Sequence, residues 1–304
     1  MRSQLYLITG FLGAGKTTFL KKLVSQLRDK RLHVIVNEFG REGVDGALLS
    51  EIGAALDEIS NGSIFCSCRL DRFEEVLDTA LESKPDCILV EASGLSDPTN
   101  VRNIMLQPDF ADRVEYMGGI CLIDAVRFER EYATARCCKK QLAASELILL
   151  NKTDLVSEED LVRIEKQIHT QRPDLPIHRT VRAEFELAWL PRPDADAPLF
   201  PEEDNSPDVT LMRHTLAVKP ACTYDQLKRA LRMIGEDSYR IKGFVELQEG
   251  LYLADCVGTL LYLEPYSGKT DSVGHLQILA GDMTVRRSIK AALQQYPEVL
   301  KLLH

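Results

Sequence analysis

The residues with the clearest chemical capacity lie close to the N-terminus, in Gly10-Phe11-Leu12-Gly13-Ala14-Gly15-Lys16-Thr17. This is a complete G-x-x-x-x-G-K-[ST] pattern, set between an apolar run that predicts a strand and a segment that predicts a helix. Glycines let backbone N–H groups turn inward around phosphate oxygens, and a helix N-terminus favours negative charge. Gly13, Ala14 and Gly15 are expected to cradle phosphates. Lys16 is expected to reach the β- and γ-phosphates, Thr17 to ligate Mg²⁺, and Thr18 to bond the α-phosphate. A glycine-rich turn without a ligand is the alternative, and the strand-to-helix context argues against it.

Asn151-Lys152-Thr153-Asp154 follows a second apolar run. A carboxylate at Asp154 can accept from both the N1 and N2 donors of guanine, a pair that adenine lacks. A site built on such pairing discriminates strongly, because the wrong base leaves a polar group unpaired. Asn151, Lys152 and Asp154 are therefore expected to bind the base, and GTP is expected over ATP. A P-loop ATPase or small-molecule kinase is the less favoured alternative. Glu91-Ala92-Ser93-Gly94 ends a third apolar run. Glu91 is expected at Mg²⁺, directly or through water, and Gly94 is expected to offer its N–H to the γ-phosphate.

The elements that must position these residues follow from periodicity. Leu5–Ile8, His33–Val36, Cys87–Val90, Gly119–Ile123 and Leu147–Leu150 are short runs rich in Val, Ile and Leu, with a weaker run near Ile177. Continuous apolar runs separated by longer amphipathic stretches predict strands buried on both faces and joined by helices. The fold class expected is α/β, a P-loop NTPase with a mostly parallel sheet flanked by helices, and a smaller α+β C-terminal domain. Residues 157–170 predict a helix capped by Ser157, with Leu161, Ile164 and Ile168 at helical spacing.

Residues 191–208 hold five prolines and six acids and predict an acidic linker. The domains expected are thus 1–190, the linker 191–208, and 209–304. In the last, strands are predicted over 209–218, 239–247, 251–255, 258–264 and 275–279. Helices are predicted over 223–234 and 284–295, capped by Thr223 and Thr284, in a split βαβ pattern. Lys242-Gly243 reads as a turn or a contact to the first domain, and Trp189 as a packing anchor.

The chain has 304 residues and a formal net charge of −9. That balance lacks the basic footprint of a nucleic-acid binder. No apolar run approaches the ~18 residues of a membrane span, and the N-terminal run is shorter than a signal-peptide core. No nucleic-acid or membrane partner and a cytoplasmic location are expected. In that setting the eight cysteines, 66, 68, 87, 121, 137, 138, 222 and 256, read as thiols or metal ligands rather than disulfides. Cys87 and Cys121 lie in apolar strands and read as core, and Cys137-Cys138 as ordinary thiols. Two thiolates at the C-x-C spacing of Cys66 and Cys68 share one side of an extended segment. They could hold a soft ion such as Zn²⁺ or Cu(I), with Glu38, Glu42 or a second subunit completing the four ligands zinc prefers. Ordinary thiols on a loop are the other reading.

Five segments give the chain a resemblance to the CobW-type GTPases, a group related to the nickel-delivery GTPases of urease and hydrogenase maturation. They are Thr9-Gly-Phe-Leu-Gly-Ala-Gly-Lys-Thr-Thr18, Asn37-Glu38-Phe39-Gly40, Glu91-Ala-Ser-Gly94, Leu149-Leu-Asn-Lys-Thr-Asp154 and Tyr239-Arg-Ile-Lys-Gly243. The resemblance implies a GTP-hydrolysing switch, homodimeric when loaded, that handles or delivers a metal or metallocofactor to a client metalloprotein. It makes Lys16, Glu38 and Glu91 the expected catalytic residues, Glu38 as a switch residue near Mg²⁺ or the transferred metal. Asp45 lies in the same segment without an assigned role. The pattern also departs from the family. Its C-x-C-C metal motif follows Asn-Gly, whereas Asn61-Gly62 is followed here by Ser63-Ile64-Phe65-Cys66-Ser67-Cys68. Aligned on Asn-Gly, only Cys66 keeps its place and Cys68 is additional. Two functions stay open: a metallochaperone-type switch, or a GTPase that activates or remodels a client metalloenzyme or corrinoid protein without carrying metal. No glutamine stands in Glu91–Gly94 and no arginine finger is evident, so slow intrinsic turnover is expected, below roughly 1 s⁻¹.

Overall fold

The computed structural model describes residues 2–36, 55–58, 70–105, 107–193, 212–220, 222–258, 260–268, 270, 273–281 and 284–303. Glu38, Glu42, Asp45, Cys66 and Cys68 lie outside the described residues. The chain divides into two compact units, Met1–Ser206 and Pro207–His304.

The first unit is built on seven strands: β1 (Ser3–Gly10), β2 (Leu32–Val36), β3 (Ala55–Glu58), β4 (Cys87–Glu91), β5 (Val114–Asp124), β6 (Leu147–Asn151) and β7 (Ile177–Arg179). They pair in parallel in the order β3-β2-β4-β1-β5-β6-β7. Six arise from the apolar runs, and β3 had no such signal because Ala55-Leu56-Asp57-Glu58 is half polar. Helices α1 (Lys16–Gln26), α2 (Leu70–Glu82), α3 (Thr99–Met105), α4 (Pro108–Ala111), α5 (Phe128–Thr134), α6 (Arg136–Ala143) and α7 (Glu158–Gln171) connect them.

Both sheet faces are covered, which is why the strand runs show no alternation. On β1, Tyr6 and Ile8 pack with Phe19, Leu20, Leu23 and Val24 of α1, while Leu5 and Leu7 pack with Phe73 and Leu77 of α2. Cys121 and Ile123 of β5 join Leu161, Ile164 and Ile168 of α7. Ser157 caps α7 by accepting from the Asp160 N–H at 3.2 Å. With every strand parallel, the carboxyl ends of β1, β4, β5 and β6 meet on one edge, with Ile8 level with Glu91 and Asp124 level with Asn151. Ligands of such sheets bind along that edge.

The second unit has strands β8 (Met212–Val218), β9 (Arg240–Leu247), β10 (Gly250–Val257), β11 (Leu260–Pro265), β12 (His275–Ala280) and β13 (Leu300–Leu302), in the order β11-β10-β9-β12-β8-β13. All these pairs are antiparallel. Helices α8 (Tyr224–Gly235) and α9 (Thr284–Gln295) pack on the sheet through Leu227, Leu231, Ile234, Val285 and Ile289. Strands β13, β8, β12 and β9 with both helices form a split βαβ unit, which the β10–β11 hairpin extends. Thr223 caps α8 in a reciprocal capping box with Gln226, whereas Thr284 is the first helical residue of α9. Lys242 and Gly243 form no turn. Both lie inside β9, where a side chain on Gly243 would collide with the His275 carbonyl of β12. β13 had no sequence signal, being three residues long.

Candidate nucleotide-binding site

The glycine-rich segment crosses from β1 to α1 in conformations that only glycine adopts freely. Gly10, Gly13 and Gly15 have φ of 128°, 76° and 108°. Gly15 precedes α1, whose first turn has no side-chain cap and no acid. The N–H groups of that turn are therefore available to an anion. Gly13 and Thr18 are exposed, and Gly15 and Thr17 half-buried, so the segment is open on its outer side. Lys16 is buried, and its Nζ donates to the carbonyls of Gly10 and Phe11 at 2.8 and 3.0 Å. This holds the ammonium across the mouth of the loop.

Glu91 is 3% exposed at the end of β4, and the Thr17 hydroxyl donates to its Oε1 at 2.9 Å. A hydroxyl and a carboxylate side by side beneath a phosphate cradle are hard oxygen donors of the kind Mg²⁺ takes. They fit that ion. Gly94 packs directly on the P-loop: a Cβ built there would lie 2.7 Å from the Leu12 nitrogen.

Asn151 ends β6 and is buried. Its Nδ2 donates to the Ala14 carbonyl at 2.8 Å, and its Oδ1 accepts from the Ala183 N–H at 2.9 Å. One side chain thus ties the phosphate segment to the turn after β7. Lys152 is left-handed at φ 62°, and its Nζ donates to Asp124 Oδ2 at 2.6 Å. Asp154 follows in a short 3₁₀ turn, Thr153–Leu155, and is exposed. The sequence-predicted residues Gly13, Ala14, Gly15, Lys16, Thr17, Thr18, Glu91, Gly94, Asn151, Lys152 and Asp154 therefore share one edge of the sheet. Glu38, Glu42, Cys66 and Cys68 belong to segments that are not described.

Four further residues join these segments without having been expected from the sequence. Asp124 stands directly after the run Gly119–Ile123, an acid at a strand end, the same signal that marked Glu91. Arg182 and Ala183 have φ of 53° and 55° in the turn that receives Asn151, and nothing in the residue types announces them. Gln141 of α6 donates to the carbonyls of Gly94 and Ser96, and a lone glutamine on a helix carries no sequence signal.

The described cysteines are free thiols. Burial pushes Cys87, Cys121 and Cys256 up to about 12 and Cys222 to about 11. The Cys138 thiol is also raised, first by its hydrogen bond with Cys137. Such thiols stay protonated near neutrality and make poor soft-metal ligands. Among the described residues no group of three or more His, Cys, Asp or Glu is gathered to hold a metal ion. Among them, too, no helix is long and apolar enough to cross a membrane.

The zinc chaperone YeiR of Escherichia coli K12 is 36% identical over 50% of this chain and 47% of its own length. The zinc chaperone CobW of a Sinorhizobium species is 33% identical over 56% of each. The chain thus spans about half the length of these curated relatives. The fold resembles the crystal structure of Zn(II)-bound YjiA GTPase from E. coli with a TM-score of 0.51 and 19% identity, covering 97% of this chain and 99% of that one. Residues 4–179, more than half of the chain, match the model of the CobW/HypB/UreG nucleotide-binding domain. The chain belongs to the CobW/HypB/UreG family.

Proposed function

We propose that this protein is a GTP-hydrolysing metallochaperone switch in which nucleotide state governs the handling of a transition metal, with zinc as the favoured ion. The observation that carries the reading is the convergence of Thr17, Glu91 and Asn151 on one sheet edge in a chain of this family. The relatives named as zinc chaperones support the metal. The reaction is attack of water on the γ-phosphorus of GTP, with cleavage of the bond to the bridging oxygen and release of GDP and phosphate. Lys16 and the N–H groups of Gly13 to Thr18 bind the phosphates and oppose the charge that gathers on them. Mg²⁺, when bound, would neutralise phosphate charge, and Thr17 and Glu91 would hold it. Asp154 would recognise guanine, with Asn151 fixing the loop geometry and Lys152 beside it.

The domain reading is a GTPase domain over 1–190, a linker over 191–208 and a second domain over 209–304. Slow intrinsic turnover, a homodimeric loaded state, a cytoplasmic location and a client metalloprotein complete the proposal. Cys66 and Cys68, aided by Glu38 and Glu42, are the proposed soft-metal ligands. A second reading rests on a specific observation: Ser63 and Phe65 stand where the family motif has its first two cysteines. On that reading the switch acts on a client without carrying metal.

Titration of zinc with GTP–Mg²⁺, with GDP and without nucleotide separates the two, using the wild type and a Cys66→Ser/Cys68→Ser variant. Tight, nucleotide-dependent binding lost in the variant is expected. Intact GTP binding with no thiol-dependent zinc affinity would reject the carrier role and favour the second reading. Failure to prefer GDP over ADP would reject the GTPase assignment.

A further inference from the structure

The loop after Glu91 is tied down by side chains of α6. Gln141 of α6 is 1% exposed, and its Nε2 donates to the Gly94 carbonyl at 3.0 Å and the Ser96 carbonyl at 3.2 Å. The backbone of Gln141 is itself tied down, since the Ser145 hydroxyl donates to its carbonyl at 2.7 Å. The preceding residue on α6 makes a second link: Lys140 Nζ donates to Asp97 Oδ2 at 2.5 Å. The other oxygen of Asp97 accepts from Thr99 N and Oγ1, which fixes the start of α3. Two adjacent side chains of α6 therefore grip residues 94–97 at three points.

Glycine is the residue least able to hold its own backbone, and Gly94 must stay glycine because a Cβ would press on Leu12. The conformation of the loop therefore has to be imposed from outside. A buried amide that donates to two carbonyls does so, and breaking it strands both acceptors. Gly94 lies against Leu12 of the P-loop on one side and is tethered to Gln141 on the other.

We infer that Gln141 is a positioning residue for γ-phosphate recognition, which pre-organises Gly94 through its carbonyl, with Lys140 and Asp97 bracing the same loop. This rests on the GTPase reading above and deepens it. A donor held in place before binding costs less to engage than one that must be ordered on binding. The effect of losing it falls on nucleotides that carry a γ-phosphate and spares those that do not.

The test is the affinity of the full chain for GDP and for a non-hydrolysable GTP analogue, both with Mg²⁺, in the wild type, Gln141→Met and Lys140→Ala. Methionine keeps the length of the side chain and removes both donors. The ratio of analogue affinity to GDP affinity is expected to fall at least about fivefold in Gln141→Met, with GDP affinity held within about twofold. A smaller fall in the same direction is expected for Lys140→Ala. An unchanged ratio in folded Gln141→Met, or equal loss of both nucleotides, would overturn the positioning role. Should Gln141→Met not fold, Lys140→Ala at its half-buried site decides, and an unchanged ratio there overturns the role as well. A wild type that binds neither nucleotide would instead overturn the GTPase reading.

Discussion

Asn151 occupies the space that a side chain on Gly15 would need. A Cβ on Gly15 would lie 2.5 Å from Asn151 Nδ2, and that same nitrogen donates to the Ala14 carbonyl at 2.8 Å. The Gly10–Thr17 and Asn151–Asp154 segments are thus in van der Waals and hydrogen-bond contact with each other. Gly15→Ala combines this clash with a φ of 108°. Strain of that kind costs about 1–3 kcal/mol. We expect a fall in thermal stability and at least a tenfold loss of GDP affinity (roughly 1.4 kcal/mol), read by calorimetric titration.

Asn151→Ala strands the Ala14 carbonyl and the Ala183 N–H, both buried with their partner. Each stranded group costs about 1–3 kcal/mol. Denaturant unfolding should show that loss, and GDP should rescue stability less than in the wild type. Equal rescue would mean that Asn151 has no part in nucleotide binding.

Thr17→Ala removes the hydroxyl that donates to Glu91. Affinity for GTP in excess Mg²⁺ should then approach the affinity measured in chelator, because the gain from the ion is what the variant loses. The measurement is GTP affinity with and without Mg²⁺, and a full Mg²⁺ gain in the variant would remove Thr17 from the metal's ligands.

Glu131 of α5 is 3% exposed. Burial pushes its carboxyl up to about 8, with Asp124 adding to the rise and Arg127, Lys152 and Lys16 opposing it. Between pH 4.5 and 8 the folded protein holds a proton there that the unfolded chain has lost. Stability from this group is therefore full below about 4.5 and declines as pH rises towards about 8. Melting temperatures followed from pH 5 to 9 should fall for the wild type with a steeper slope than for Glu131→Gln. Parallel curves would contradict the shift.

Gly243→Ala places a methyl group against the His275 carbonyl, where β9 and β12 pair. Overpacking in such a position costs about 1–3 kcal/mol. The second unit should unfold at lower denaturant while GDP binding by the first is retained. A variant as stable as the wild type would show that the two strands can part at no cost.

The candidate nucleotide site can be picked out in the sequence because its expected chemistry depends on residue type at fixed spacing. Glycines around Lys16 and Thr17, an acid after the apolar run Cys87–Val90, and Asn151 to Asp154 after Leu147–Leu150 are short-range signals. The parallel sheet was legible for a related reason: strands covered on both faces must be apolar throughout. Tertiary structure alone decided the rest. Whether Asn151 reaches Ala14 or only caps its own turn depends on β1 and β6 flanking β5, a register no local pattern encodes. Gln141 is one polar residue on an ordinary helix until packing brings α6 behind Gly94, and β3 and β13 are too short or too polar to declare themselves. Lys242-Gly243 reads from sequence as a turn or a contact to the first domain, and the structure shows no turn there. Here the close approach of β12 requires glycine inside a strand, and that requirement exists only between strands distant in sequence.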